Sequence, residues 1–186
     1  MIKLAFTEIS IKKAFTFLEP GPVILVTTRE GSKNNIMTIS WHMVTDFAPR
    51  IAISTGAWNH SFTTMMKTKE CVIAIPDADM IEKVIRIGTV SGTEVDKFKE
   101  FGLTPLPAKS VKAPLIEECI ACIECKVEDY IEKHGIVVLE GILLWLDPDK
   151  KGKPTFHANG DGTFTVDSDK VLNYRSMMEK WIPEGV

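Results

Sequence analysis

Four residues capable of holding a small molecule lie within one short stretch, residues 35–42: Asn35, Thr38, Ser40 and Trp41. The other positions of this stretch are mostly apolar, which is typical of a strand. Amide and hydroxyl groups beside an indole ring could bind a flat heteroaromatic ligand, through hydrogen bonds to its polar edge and contact with its ring. The alternative is an edge strand whose hydroxyls face water and whose tryptophan closes one end of a barrel. The residues alone leave both interpretations open.

A second polar stretch, STGAWNHSFTT at residues 54–64, contains Ser54, Ser61 and Thr63. This pattern predicts the end of a strand, then a glycine, Gly56, and then the start of a helix. Helix N-termini attract phosphate through their unpaired N–H groups and the helix dipole. The alternative is ordinary capping of a helix that begins at Asn59. The chain contains neither a Walker loop nor a G-x-G-x-x-G motif.

The spacing of Cys119, Cys122 and Cys125, C-x-x-C-x-x-C, resembles that of a metal or iron–sulfur site. Their apolar neighbours instead indicate a strand, on which positions three apart point to opposite faces. Three thiolates arranged in this way cannot converge on one metal, so we expect structural cysteines and no metal. Cys71, also within a strand, is expected to be a core residue.

Composition limits the partners and the compartment. The 186 residues carry 22 Lys and Arg against 25 Asp and Glu, a net charge of −3, which does not favour nucleic acid as a partner. The longest apolar stretch, residues 135–146, contains Glu140 and falls short of the about 20 residues that cross a bilayer. The N-terminal residues show no secretion signal. We expect a cytoplasmic protein with free thiols, no membrane association and a single domain over residues 1–186.

The remaining pattern predicts elements that could position the two polar stretches. Strands are predicted at residues 22–28, 35–41, 50–54, 71–75, 115–127 and 136–146, and helices at 59–70, 79–87, 94–101 and 171–181. We expect the first two strands to form a hairpin, Gly88 to end the second helix, and an Asp79/Glu82 capping box to begin it.

Strands in mostly hairpin-like succession argue against a doubly wound α/β sheet. The prediction is a mainly β protein with α (α+β), a closed or nearly closed antiparallel barrel with helical insertions. Side chains fill a barrel of this size. A ligand would therefore lie at its mouth, on its outer wall or between two copies.

Taken in order, several motifs resemble one known family. They are PGPVILVTT (20–28), NIMTISW (35–41), NHSFT (59–63), VSG with VDKF (90–92, 95–98) and VKAPLIEECIACIECKV (111–127). This set resembles the flavin reductase-like proteins of the FMN-binding split barrel, and within them the flavoredoxin group. The resemblance spans roughly residues 20–145. Many relatives carry G-D-H before the last long strand, whereas this chain has Lys133, His134, Gly135 and Ile136, so no nicotinamide contact is carried over there.

The resemblance implies FMN, bound as a prosthetic group or as a substrate, and a homodimer whose interface helps to form the flavin sites. It implies either an NAD(P)H-dependent flavin reductase or a flavoredoxin-type electron-transfer protein that exchanges electrons with protein partners. In either case the cofactor carries the chemistry, and no side-chain nucleophile is required. The implied ring and ribityl contacts are Asn35, Thr38, Ser40 and Trp41, the phosphate contacts are Ser54, Ser61 and Thr63, and Lys97 is a further polar contact. A barrel that binds no flavin is the remaining alternative.

Overall fold

The computed structural model describes residues 6–47, 49–168, 170–178, 182 and 184–185. Its strands are β1 (Thr7–Ile9), β2 (Ile24–Glu30), β3 (Lys33–Ile39), β4 (His42–Val44), β5 (Arg50–Ser54), β6 (Glu70–Ile75), β7 (Pro105–Leu106), β8 (Leu115–Ile116), β9 (Ala121–Ile131), β10 (Ile136–Leu146), β11 (Phe156–Ala158) and β12 (Phe164–Val166). Its α-helices are α1 (Ala14–Leu18), α2 (His60–Thr68), α3 (Ile81–Thr89), α4 (Lys97–Glu100) and α5 (Arg175–Met178). Short 3-10 turns lie at Ile11–Lys13, Ala78–Met80 and Glu132–His134.

One antiparallel sheet of eight strands forms the body, in the order β3-β2-β6-β9-β10-β5-β4, with β1 added to β10. Along one edge, β10 pairs with β5 through its first half and with β1 through its last three residues. Only Ser40 and Trp41 separate the two terminal strands, β3 and β4, along the chain. The sheet therefore curls until its ends are neighbours, which confirms the predicted mainly β α+β class. The predicted hairpin is also confirmed as β2 and β3.

Both faces of the sheet are buried. Residues such as Val26, Met37 and Ile73 fill the inside of the curl together with α2. Their strand neighbours Leu25 and Ile36 point outwards, into a second core that includes residues of α3 and α4. Because alternate positions face two different cores, these strands read as nearly continuous apolar runs. The helices on the outer face are the elements that border β3.

The cysteines confirm the alternation within β9 only. Cys119 precedes β9 and lies in the outer core with Cys122, so the prediction that these two residues face opposite sides is wrong. Cys122 belongs to the outer core and Cys125 to the inner one, so these two side chains point to opposite faces as predicted. Both are free thiols, as are Cys71 and Cys119, and all four are buried. Burial raises the pKa of Cys122 to about 12 and also raises the pKa values of Cys119 and Cys125.

Several element boundaries differ from the sequence prediction, and three of the differences have an identifiable local cause. The predicted strand 115–127 is interrupted, because Cys119 N–H turns back to the Ile116 carbonyl and β9 begins only at residue 121. The helix α3 continues through Gly88 to Thr89. No capping box begins it; the Asp77 side chain instead caps the preceding 3-10 turn by accepting from Asp79 N–H.

At the C-terminus, the predicted helix 171–181 is present as α5 over Arg175–Met178, and Trp181 lies outside the described residues. Among the described residues, no helix has the length and apolar character needed to cross a bilayer.

Glu124 of β9 holds the proline-containing stretch 107–114 against the outer face of the sheet. Its carboxylate is fully buried and accepts four N–H groups: Lys109 N and Trp145 Nε1 on Oε1, and Ser110 N and Val111 N on Oε2, at 2.6–3.1 Å. Every donor is an N–H group, so only an ionised carboxylate satisfies all four.

We predict that Glu124→Gln lowers the free energy of unfolding by roughly 1–3 kcal/mol, because an amide would place an NH2 group against two N–H donors. Urea denaturation measures the change. The matched control is Glu128→Gln, which removes an exposed ion pair with Arg50 and is expected to cost at most about 1 kcal/mol. Equal losses of unfolding free energy in the two variants would contradict the claim that Glu124 holds the stretch 107–114 in place.

Candidate functional site

Among the described strands, none pairs with the outer edge of β3, where a lysine side chain binds instead. Lys97 Nζ donates to the carbonyl of Ile36 on β3 at 2.9 Å and to the carbonyl of Ile87 on α3 at 2.8 Å. The Asp96 side chain accepts from Lys99 N–H and so fixes the start of α4, where Lys97 is the first residue. Lys97 is only 5% exposed, and burial lowers its pKa to about 8. It therefore joins three elements while keeping one ammonium hydrogen for another acceptor.

Asn35 joins the same strand to the start of α2. Its Nδ2 donates to Ser61 Oγ at 2.7 Å, and Ser61 N–H in turn donates to the capping side chain of Asn59. The predicted Asn59 cap is thereby confirmed. Asn35 is 8% exposed, and its Oδ1 is enclosed and has no hydrogen-bond partner among the residues that the structure describes. A Cβ at Gly92 would lie 2.1 Å from this oxygen, so a side chain at this position would displace the Asn35 amide.

Thr38 lies on the opposite face of β3 from Asn35 because side chains alternate along a strand. Its hydroxyl donates to the Val84 carbonyl of α3 at 2.8 Å. A Cβ on Gly88 would lie 3.3 Å from Thr38 Cβ, so the glycine inside α3 lets the helix approach the strand. The sequence prediction of a helix end at Gly88 is wrong for this reason.

Two adjoining cavities lie along this edge. The smaller, about 300 Å³, is lined by Asn35, Thr38 and Lys97, by residues 58–60 at the start of α2 and by residues 88–92. The larger, about 860 Å³, lies between the β2–β3 hairpin, α2 and the segment 92–98. The cavities share three residues: Asn35, His60 and Gly92.

The structure brings together half of the eight predicted site residues. Asn35, Thr38 and Lys97 line the smaller cavity, and Ser61 holds Asn35 in place. The other four, Ser40, Trp41, Ser54 and Thr63, lie outside both cavities.

These four residues lie on strand ends, on a connection between strands or on the exposed side of a helix. Ser40 and Trp41 connect β3 to β4, and Trp41 is 74% exposed. Ser54 ends β5, and Thr63 lies on the exposed side of α2. They do not contribute to the cleft of a single chain.

Several residues that line the cavities were not among the predicted site residues, including Trp58 and Gly92. Trp58 is 77% exposed, and a Cβ on Gly56 would lie 2.2 Å from its ring, so the indole folds back over that glycine. The signal that the sequence offered for Trp58 was a tryptophan two residues after a glycine, within the polar stretch 54–64. Gly92 belongs to the VSG motif (90–92), but the motif did not reveal its role, which depends on contact with a residue 57 positions earlier.

A profile of the family described as "Flavin reductase like domain" matches residues 17–164. A protein of unknown function from Archaeoglobus fulgidus is 30% identical over 148 residues, which cover 74% of this chain and 84% of that protein.

Two solved structures share the fold. The FMN-binding domain of a flavin reductases-like enzyme from Shewanella baltica superposes with a TM-score of 0.83 and 20% identity, covering 90% of this chain and 96% of that one. Flavoredoxin of Desulfovibrio vulgaris superposes with a TM-score of 0.76 and 25% identity, covering 84% of this chain and 91% of that one. These matches confirm the predicted FMN-binding type of split barrel.

We predict that the stability contributed by Lys97 depends on pH between 8 and 10. In the folded protein the pKa of Lys97 is about 8, so its ammonium group loses a proton near that pH. In the unfolded chain the pKa of the lysine is its ordinary value of 10.5. The unfolded state therefore binds more protons in this interval, and the stability contribution of Lys97 increases as pH rises.

Urea denaturation at several pH values tests this. The destabilisation caused by Lys97→Met, relative to the wild type, should grow from pH 8 to pH 10. Lys99→Met, which removes an exposed lysine of the same helix, is the control for the loss of one positive charge from α4. A constant difference for Lys97→Met would show that its ammonium group is not desolvated.

Proposed function

The chain belongs to the flavin reductase-like domain family, and from this premise we propose that it binds FMN and acts as an NAD(P)H-dependent flavin reductase. The observation that carries the proposal is the enclosed, unpartnered Asn35 Oδ1 on the wall of the smaller cavity. A buried acceptor without a donor costs free energy that a ligand can recover. The domain is proposed to span residues 1–186 and to work in the cytoplasm.

The residues of the cleft fit FMN by the chemistry of their free groups. Asn35 Oδ1 offers an acceptor, and Lys97 has one ammonium hydrogen left after its two carbonyl contacts. A flavin ring and its ribityl chain carry both donors and acceptors, so each group could find a partner. Backbone of residues 88–92 and the side chains at the start of α2 form the remaining walls.

We assign the eight residues to FMN as the family resemblance implies. The proposed ring and ribityl contacts are Asn35, Thr38, Ser40 and Trp41, the proposed phosphate contacts are Ser54, Ser61 and Thr63, and Lys97 is the further polar contact.

A homodimer would bring the outlying residues into the site. A cavity of about 300 Å³ is at the lower end of the range for ligand sites and would hold only part of FMN. Trp41, Met43 and Trp58 are large apolar side chains that are all more than half exposed. We propose that a second copy covers these residues and the rest of the flavin, which would also exclude water from one face of the ring.

FMN, when bound, would take up two electrons as a hydride from a nicotinamide dinucleotide and supply them to an acceptor. The chain's own residues would orient the ring through Asn35 and Thr38. The Lys97 ammonium would stabilise negative charge near it. No side-chain nucleophile or general base is needed for this chemistry.

The similarity to flavoredoxin favours a second candidate, an electron-transfer protein that keeps FMN bound and exchanges electrons with a protein partner. The two candidates share the flavin site and differ in the electron donor.

The visible spectrum of the purified protein, with and without FMN, tests both candidates. We predict perturbed flavin absorption and, at FMN about 100 times above Kd, roughly 2.7 kcal/mol of added stability. Oxidation of NADH or NADPH above the free-flavin background would support the reductase. Tightly copurifying FMN with negligible nucleotide oxidation would support the electron-transfer protein. A colourless protein whose Tm does not change when FMN is added would refute both candidates.

The single variant Thr63→Ala tests the phosphate assignment and leaves in place Ser61, whose hydroxyl also holds the proposed ring contact Asn35. We predict at least about a tenfold rise in Kd for FMN and a much smaller rise for riboflavin, which lacks the phosphate. Quenching of flavin fluorescence measures both affinities. Thr165→Ala, on the exposed β11–β12 hairpin, is the control and should change neither. An equal loss for both flavins would place the phosphate elsewhere.

A further inference from the structure

A large aromatic side chain borders the smaller cavity, and none of the flavin contacts assigned above uses it. Trp58 lies just before α2 and is 77% exposed. Among the described residues that line this cavity, it is the only tryptophan, tyrosine or phenylalanine. An indole left open to water gains free energy of binding when a flat apolar surface covers it.

Two glycines hold the indole in place. A Cβ on Gly56 would lie 2.2 Å from Cζ3 of the Trp58 ring, and a Cβ on Gly135 would lie 3.2 Å from its Cη2. Gly56 follows the end of β5 and Gly135 immediately precedes β10, and the two segments are joined where Thr55 N–H donates to the Gly135 carbonyl at 2.9 Å. The outer end of the six-membered ring is therefore seated on backbone, although most of the indole is open.

The seated indole lies in the same cavity as the polar groups proposed to bind the flavin. Asn35, whose Oδ1 has no described hydrogen-bond partner, and Lys97, which has one ammonium hydrogen left, both line it. A flavin whose polar edge reached these two groups would bring its ring into the cavity that Trp58 borders. Contact between two aromatic ring systems stabilises a complex beyond the apolar area that it buries.

We propose that Trp58 packs its indole against the flavin ring, and that Gly56 is a positioning residue because it leaves room for the indole. This inference rests on the proposed binding of FMN, and it depends neither on the electron donor nor on a second copy of the chain. The contact is made with the ring and not with the phosphate. It therefore contributes equally to the binding of FMN and of riboflavin.

Calorimetric titration with FMN and with riboflavin tests the ring contact. We expect Trp58→Leu, which keeps an apolar side chain, to raise the Kd of both flavins by the same factor, at least about fivefold. Trp58→Phe, which keeps an aromatic ring, should lose less affinity. The control is Phe47→Leu, which changes another exposed aromatic residue that lines neither cavity and should leave both Kd values unchanged. Unchanged affinity in Trp58→Leu, a loss confined to FMN, or an equal loss in Phe47→Leu would overturn the proposal.

The emission of bound flavin reports the contact separately from affinity. An excited flavin that touches an indole is quenched by electron transfer from the indole. With the protein saturated with FMN, emission should therefore rise in Trp58→Phe and Trp58→Leu and stay at the wild-type level in Phe47→Leu. Unchanged emission in both Trp58 variants would refute the contact, because a tryptophan that serves only the fold or a surface between copies does not quench the flavin.

Gly56→Ala tests the seat of the indole. Gly56 is not among the described glycines with a positive φ, so the alanine adds only a methyl group that must displace the ring of Trp58. We expect Gly56→Ala to weaken both flavins and to raise their emission, as Trp58→Leu does. Added to Trp58→Leu, it should have no further effect on flavin affinity. Losses of affinity that add in the double variant would contradict the positioning role of Gly56.

The wild-type titration distinguishes failure of this inference from failure of the proposed function. A wild-type protein that binds neither flavin refutes the proposed function. Wild-type binding that is unchanged in Trp58→Leu refutes the ring contact alone. A Trp58→Leu variant with a raised KM for NADH or NADPH and an unchanged Kd for FMN would show that the indole meets the electron donor, which also refutes the ring contact.

Discussion

The ammonium group of Lys97 donates to a carbonyl on the outer edge of β3 and to another near the end of α3. An unpaired strand edge exposes backbone groups that must be satisfied by something else, and here a single buried side chain serves the strand and the helix together. The contact holds α3 and α4 beside β3. The cleft along that edge exists because these elements are joined at a few points and not packed along their whole length.

Burial on both faces of the sheet limits where polar groups can lie. Apolar side chains fill the inside of the curl and the outer face beneath the helices. The polar residues of β3 therefore reach a ligand only along the strand's edge, where Asn35 meets α2 and Thr38 meets α3. A site formed at an edge is open on one side, which is consistent with the proposal that a second copy completes it.

The sequence predicted the features that depend on local pattern. The hairpin of β2 and β3, the Asn59 cap and the opposite orientation of Cys122 and Cys125 follow from residue type and strand periodicity. It did not predict the break before β9 or the passage of α3 through Gly88. The passage through Gly88 depends on contact with Thr38, which is distant in sequence, whereas the break before β9 comes from a turn in which Cys119 N–H donates to the Ile116 carbonyl within an apolar run. The unpartnered Oδ1 of Asn35 was equally invisible, since only the folded structure shows that no described residue donates a hydrogen bond to it.

A crystal structure of the protein grown with FMN tests the central claim most directly. The account predicts flavin density along the outer edge of β3, with polar atoms of the coenzyme within hydrogen-bond distance of Asn35 Oδ1 and Lys97 Nζ. Density for the flavin at another surface, with both of these atoms left as they are in the unliganded chain, would contradict it.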